Sequence, residues 1–202
     1  VPARAGGERM SSVREPAGED ALARLRALLR DEGGLIATLV EPDPTPAATD
    51  APDARNGHGP RLGAIAANGP RAAGRREEYE LLVEAIYEGY LLHYGAPRVV
   101  RMPEADLKLL AGDRLYAIGL ARLVELGDTL AVAELADTIT LSALAQGAGK
   151  GKLADAVWAA GARAVGYGSS VAHDRAKDLV LAGAPNAIEA MRTSALGGAA
   201  PR

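Results

Sequence analysis

The chain has 202 residues, enough for one ordinary domain and a tail, with no Cys or Phe, so its core must be built from Leu, Val, Ile, Ala and Tyr without a disulfide. A formal net charge of −3 supplies no overall attraction to nucleic acid, and no apolar run approaches the roughly 20 residues that cross a bilayer. A soluble, cytoplasmic protein is therefore expected, and Met10 is a candidate initiator because the basic start is followed by no apolar signal segment. Arg outnumbers Lys 19 to 4, which fits phosphate recognition by forked guanidinium groups and equally the codon usage of a GC-rich genome.

Asp20 can cap a first helix in which Leu22, Leu25, Leu28 and Leu29 share one face and Gly33-Gly34 form the stop. Residues 41–74 are dominated by Pro, Gly, Ala, Asp and Asn. This composition cannot offset its own ordering entropy and predicts a disordered linker. The domain reading is thus a flexible N-terminal region over residues 1–75 with a short helix near 20–32, a helical domain over 76–196, and a flexible tail over 197–202. A tethered first helix suits partner docking through residues 20–40.

From Arg76 the apolar positions Tyr79, Leu82, Val83, Ile86, Tyr87, Tyr90, Leu91 and Tyr94 recur at steps of three and four, the stripe of an amphipathic helix that Gly95-Ala96-Pro97 ends. Its tyrosines fill a core or line a slot for an isoprenoid or a base. Pro103 can open the next helix. Its apolar residues Leu107, Leu109, Leu110, Leu115, Ile118, Leu120, Leu123 and Val124 occupy most sides and predict a central position. Gly127-Asp128 closes it and caps a helix over residues 129–146 with Val132, Leu135, Ala136, Ile139 and Ala143 inward. Three shorter helices follow over residues 153–165, 170–182 and 185–195. The fold class is all-α, a bundle of about six helices.

Self-contained catalytic motifs are incomplete. The run from Gly147 to Lys152 lacks the leading Gly and trailing Ser or Thr of a P-loop, and Gly166-Tyr167-Gly168 meets Val171 where a dinucleotide fingerprint needs Gly. His58, His93 and His173 lack metal-ligand spacing. Ser169, His173 and Asp174 could be drawn as a triad, but Ser169 or Ser170 more simply caps the helix carrying His173. No catalytic residue, metal site or cofactor is assigned.

Over residues 83–147, Leu91-Leu92-His93-Tyr94-Gly95, then Arg98, then the segment from Leu109 to Leu115 resemble the trans-isoprenyl diphosphate synthase family. There an LLHDD segment opens the first Asp-rich motif, and an LAGD-containing segment lies on the next helix. Tyr94 and Gly95 stand where the first two metal-binding acids would be, and no DDxxD occurs. The resemblance therefore implies a small non-catalytic subunit of such a synthase, like component I of heptaprenyl diphosphate synthases, which sets product length or binds the product. On that view His93, Tyr94, Arg98, Arg101, Asp113 and Arg114 are the binding candidates, an isoprenoid is a candidate ligand, and a prenyltransferase catalytic subunit is the expected partner. The alternative is a helical scaffold in an unrelated complex.

Overall fold

The computed structural model describes residues 17–43, 61–101 and 104–197. Among them are nine α-helices: α1 (Ala17–Glu32), α2 (Gly34–Thr38), α3 (Leu62–Ala67), α4 (Arg76–Tyr94), α5 (Ala105–Glu125), α6 (Thr129–Gly147), α7 (Gly151–Tyr167), α8 (Val171–Leu181) and α9 (Ala187–Ala195). No strand occurs among these residues, and none of the helices is long and apolar enough to cross a membrane. The all-α class is as the periodicity predicts. The helix count exceeds about six because α1 packs with the bundle rather than standing apart, and because α2 and α3 are short segments without an extended apolar period. Met10, Pro103, His58 and the tail beyond residue 197 lie outside the described residues.

The N-terminal helix does not stand apart. Leu25 and Leu29 are fully buried, and Leu22, Leu28, Ile36 and Val40 join them in one apolar cluster with Ala85, Leu92, Val99, Leu115 and Ile118. The chain then pairs with the loop after α4 through an antiparallel bridge between Val40 and Val100, with Glu41 N–H on Val99 O at 2.8 Å and Arg101 N–H on Leu39 O at 2.8 Å. The expectation that residues 20–40 form a free docking segment is therefore corrected. An apolar face as wide as that of α1 is buried against the nearest helix that can take it, and α4 of the same chain does so.

The boundary placed at residue 76 also moves. Residues 61–75 carry α3 and a 3₁₀ turn (Pro70–Ala72), with Leu62, Ala66 and Ala72 fully buried. Composition concealed this, because α3 packs through small residues. A Cβ on Gly166 of α7 would lie 2.2 Å from Ala66 O, and one on Gly69 would lie 2.0 Å from Gly166 O. Backbones at that separation leave room only for glycine.

The central helix is α4, not α5. From Tyr79 to Tyr90 every residue of α4 except Leu81 is buried, including Glu80, Glu84 and Glu88. It is flanked by α1, α3 and α5. By contrast α5 buries Ala111, Leu115, Ile118 and Leu123 and leaves Leu109, Leu110 and Val124 exposed. On α6 the inward line is Ala131, Glu134, Leu135, Thr138, Leu141, Ser142 and Ala145. Ala136 thus faces solvent, and Val132, Ile139 and Ala143 are only partly buried. Thr138 takes the inner line because α7 offers it a small partner, and Glu134 because His173 and Lys177 of α8 answer its carboxylate. A Cβ at Gly161 would lie 2.0 Å from Thr138 Oγ1.

Candidate functional site

Three buried carboxylates spaced four apart, Glu80, Glu84 and Glu88, lie on α4. Glu88 is fully buried, with Oε1 receiving the amides of Arg98, Val99 and Val100 at 2.6, 2.7 and 3.3 Å and Oε2 receiving Arg98 Nε at 3.1 Å. Glu84 receives Gly63 N–H at 2.7 Å, and its other oxygen lies 2.7 Å from Arg98 Nη1. Glu80 is met by Arg24 Nη2 of α1 at 2.9 Å. A carboxylate inside a helix bundle is tolerated only when its lone pairs and charge are answered in this way. Burial works against the Arg98 charge, but Glu84 and Glu88 outweigh it and raise the guanidinium above its ordinary value.

The six binding candidates therefore separate into two groups. His93, Tyr94 and Asp113 come together at the C-terminal end of α4. The His93 ring stacks flat on Tyr116 at 5.4 Å and sits 5.8 Å from Tyr94. His93 Nε2 is 3.1 Å from Asp113 Oδ1 but out of line for a hydrogen bond, so the contact is an ion-pair distance without bond geometry. Gly112 makes room for the ring, since a Cβ there would lie 2.6 Å from His93 Nε2.

The three arginines do not join that group; they fasten the N-terminal segment. Arg98, held by Glu84 and Glu88, presents its carbonyl to Arg26 Nη2 at 3.3 Å. Arg101 Nη2 donates to Thr38 O in a short contact. Arg114 and Arg122 both reach Glu32, at 2.9 and 3.1 Å. The guanidinium groups of the binding candidates Arg98, Arg101 and Arg114 are thus bound to the chain itself.

The tyrosine stripe takes the core role. Tyr87 and Tyr90 each lie 5.1 Å from the Trp158 ring and are buried, and Arg98 stands 5.1 Å over Tyr87. Burial raises the Tyr87 hydroxyl to about 12. Tyr94, at the end of the stripe, is exposed.

The triad drawn from Ser169, His173 and Asp174 does not form. Ser170 caps α8, accepting His173 N–H at 3.2 Å, while Ser169 donates to Asp174 at 2.6 Å. His173 turns inward, to Glu134 of α6 and Ser194 of α9. Neither partner was visible in the sequence, because they lie 39 and 21 residues away. A hint existed in Glu80, Glu84, Glu88 and Glu134, four acids on the lines that helical period assigns to a core. Among the described residues no three His, Asp or Glu side chains are gathered as a metal site. Comparison of the chain with protein-family models, curated proteins and solved structures finds no match.

Proposed function

We propose that the chain is a non-catalytic helical subunit that docks on the catalytic subunit of an isoprenyl diphosphate synthase and modulates its product length. The observation that supports this reading is the open apolar face of α5 and α6. Leu110 and Val124 on α5 and Leu130 and Leu144 on α6 are each more than half exposed. Both helices are uncharged over long stretches, residues 115–121 and 138–147. Helices of that composition are normally covered on all sides. The same two helices carry most of the family-like sequence that follows Arg98. The arginines at the family-like positions, Arg98, Arg101 and Arg114, are engaged within the chain, which suits a framework role. In a scaffold of an unrelated complex, the same face rather than residues 20–40 would meet the partner, because the apolar side chains of α1 are already spent on α4.

The test is co-expression with a long-chain isoprenyl diphosphate synthase from the same source. The reading expects the two to co-purify and the chain length of the product to change when this protein is added. It also expects no condensation of isopentenyl diphosphate with an allylic diphosphate by this chain alone, with or without Mg²⁺. Efficient condensation by the chain alone contradicts the reading, as does a synthase whose binding and products are indifferent to it.

A further inference from the structure

Glu134, His173 and Ser194 form one hydrogen-bonded line across α6, α8 and α9. His173 Nε2 is 2.7 Å from Glu134 Oε1, and His173 Nδ1 is 2.7 Å from Ser194 Oγ. The second oxygen of Glu134 receives Lys177 Nζ at 3.1 Å. An ionised carboxylate only accepts, so Nε2 carries the ring proton and Nδ1 is left to accept the Ser194 hydroxyl. Acid, imidazole and hydroxyl thus stand in the order of a nucleophilic-serine relay, with the two ring nitrogens exchanged. That chemistry requires the order of the groups, not a particular nitrogen on each side.

The relay opens onto space. His173 is only 3% exposed, yet it and the half-buried Ser194 both line a cavity of about 460 Å³ between α7, α8 and α9, together with Arg163, Tyr167 and Gly197. Arg163 lies 4.2 Å over the Tyr167 ring. Its guanidinium also lies against Gly197, where a Cβ would meet Nη2 at 2.1 Å and where φ is +71°. Glycine there admits a cation one turn beyond Ser194. A cavity of this size, with a hydroxyl, an imidazole and a guanidinium on its walls, has the dimensions of a small-molecule site.

We propose that this cavity hydrolyses short-chain carboxylic esters, a reaction distinct from the prenyl transfer to which the chain is non-catalytic in the accessory role above. Ser194 and His173 are the catalytic pair, Arg163 faces the oxyanion, and Glu134 is a positioning residue. Ser194 Oγ attacks the carbonyl carbon while its proton passes to His173 Nδ1, and the negative charge on the carbonyl oxygen faces Arg163. Collapse breaks the ester C–O bond, and the departing alkoxide takes the proton from His173. Water then attacks the acyl-Ser194 carbonyl by the same route, giving up a proton through His173 and releasing the carboxylic acid and free Ser194.

The purified full-length chain is treated with a fluorophosphonate probe and the adduct is mapped by tandem mass spectrometry, with p-nitrophenyl acetate hydrolysis measured in parallel. The expected result is a phosphonyl adduct on Ser194. Ester hydrolysis should fall at least about 100-fold in Ser194→Ala, which changes a helix position to the best helix former. Glu134→Gln should lower kcat with KM unchanged while the chain still melts cooperatively. Because the adduct is read on the unmodified chain, the test does not depend on any variant folding. A folded wild-type chain without an adduct on Ser194, or Ser194→Ala hydrolysing the ester at the wild-type rate, overturns the proposal.

Discussion

Truncating Arg98 to Ala removes the cation that faces both Glu84 and Glu88, whose side chains are 5% and 0% exposed. Two carboxylates would then remain within the packed face of α4 with that charge unanswered. The expected loss is about 3–5 kcal/mol, read from urea unfolding at neutral pH. A change below about 1 kcal/mol would show that the cluster is solvated and that Arg98 is not its keystone. A second residue-scale cluster sets the acid response. Burial pushes Asp128 up, but hydrogen bonds from Tyr79, the Ala131 amide and Arg71 outweigh it and hold the carboxyl below its ordinary value. A depressed folded-state value means the contribution is present above the unfolded value of about 3.9 and is lost as pH falls through the folded one. The urea midpoint should therefore drop between pH 6 and pH 3 more steeply in wild type than in Asp128→Asn. Tyr79 acts in the opposite sense. Burial and then Asp128 raise its hydroxyl to about 12, so its contribution is present below about pH 10 and disappears as pH rises through 12.

At the scale of elements, Gly166→Ala tests the contact of α3 with α7. Its new Cβ would come within 2.2 Å of the Ala66 carbonyl oxygen, and a backbone atom cannot swing aside as a side-chain end can. A loss of about 1–3 kcal/mol is expected in thermal or urea unfolding, against a gain if residues 61–75 were loosely attached. Leu110→Asp tests the outer face of α5. Leu110 is 62% exposed, so the substitution should change stability by less than about 0.5 kcal/mol, and a cooperative collapse of the fold would contradict the observed helix register. Helix positions from Arg76 onward were legible because long apolar periods and the caps at Asp128 and Ser170 mark them. Register was less legible. Reading polar residues as outward misplaced the inner line of α6, where Glu134 and Thr138 are buried, and missed that α4 is buried on the side of Glu84 and Glu88 as well as on its apolar stripe. Helix α3 escaped notice because two short turns packed through Gly and Ala have no apolar signal to read.

For the whole molecule, apolar surface is distributed unevenly. The N-terminal helix, which a composition-based reading sets apart as a partner-seeking arm, closes the side of α4 that would otherwise expose Ala85 and Leu92, together with Val99 of the following loop. Charge does the fastening, with Arg24 on Glu80, Arg114 and Arg122 on Glu32, and Arg101 on Thr38. Of the candidate site, the sequence made visible the stretch from His93 to Arg114 but not the use of its arginines, since the contacts of Arg101 with Thr38 and of Arg114 with Glu32, 63 and 82 residues apart, follow from packing and leave no local pattern. Among the described residues, Leu110, Val124, Leu130 and Leu144 leave apolar surface open on α5 and α6, and the proposal is that a catalytic synthase subunit covers it. The most direct measurement is the affinity of that subunit for the wild-type chain and for a Leu110→Asp, Leu144→Asp double variant, by calorimetry with circular dichroism confirming that both forms are folded. The account predicts a saturable complex with the wild type that the double variant weakens at least about 100-fold, the scale expected when charges enter the centre of an apolar interface. Equal affinity of the two forms, or no complex with the wild type, would contradict it.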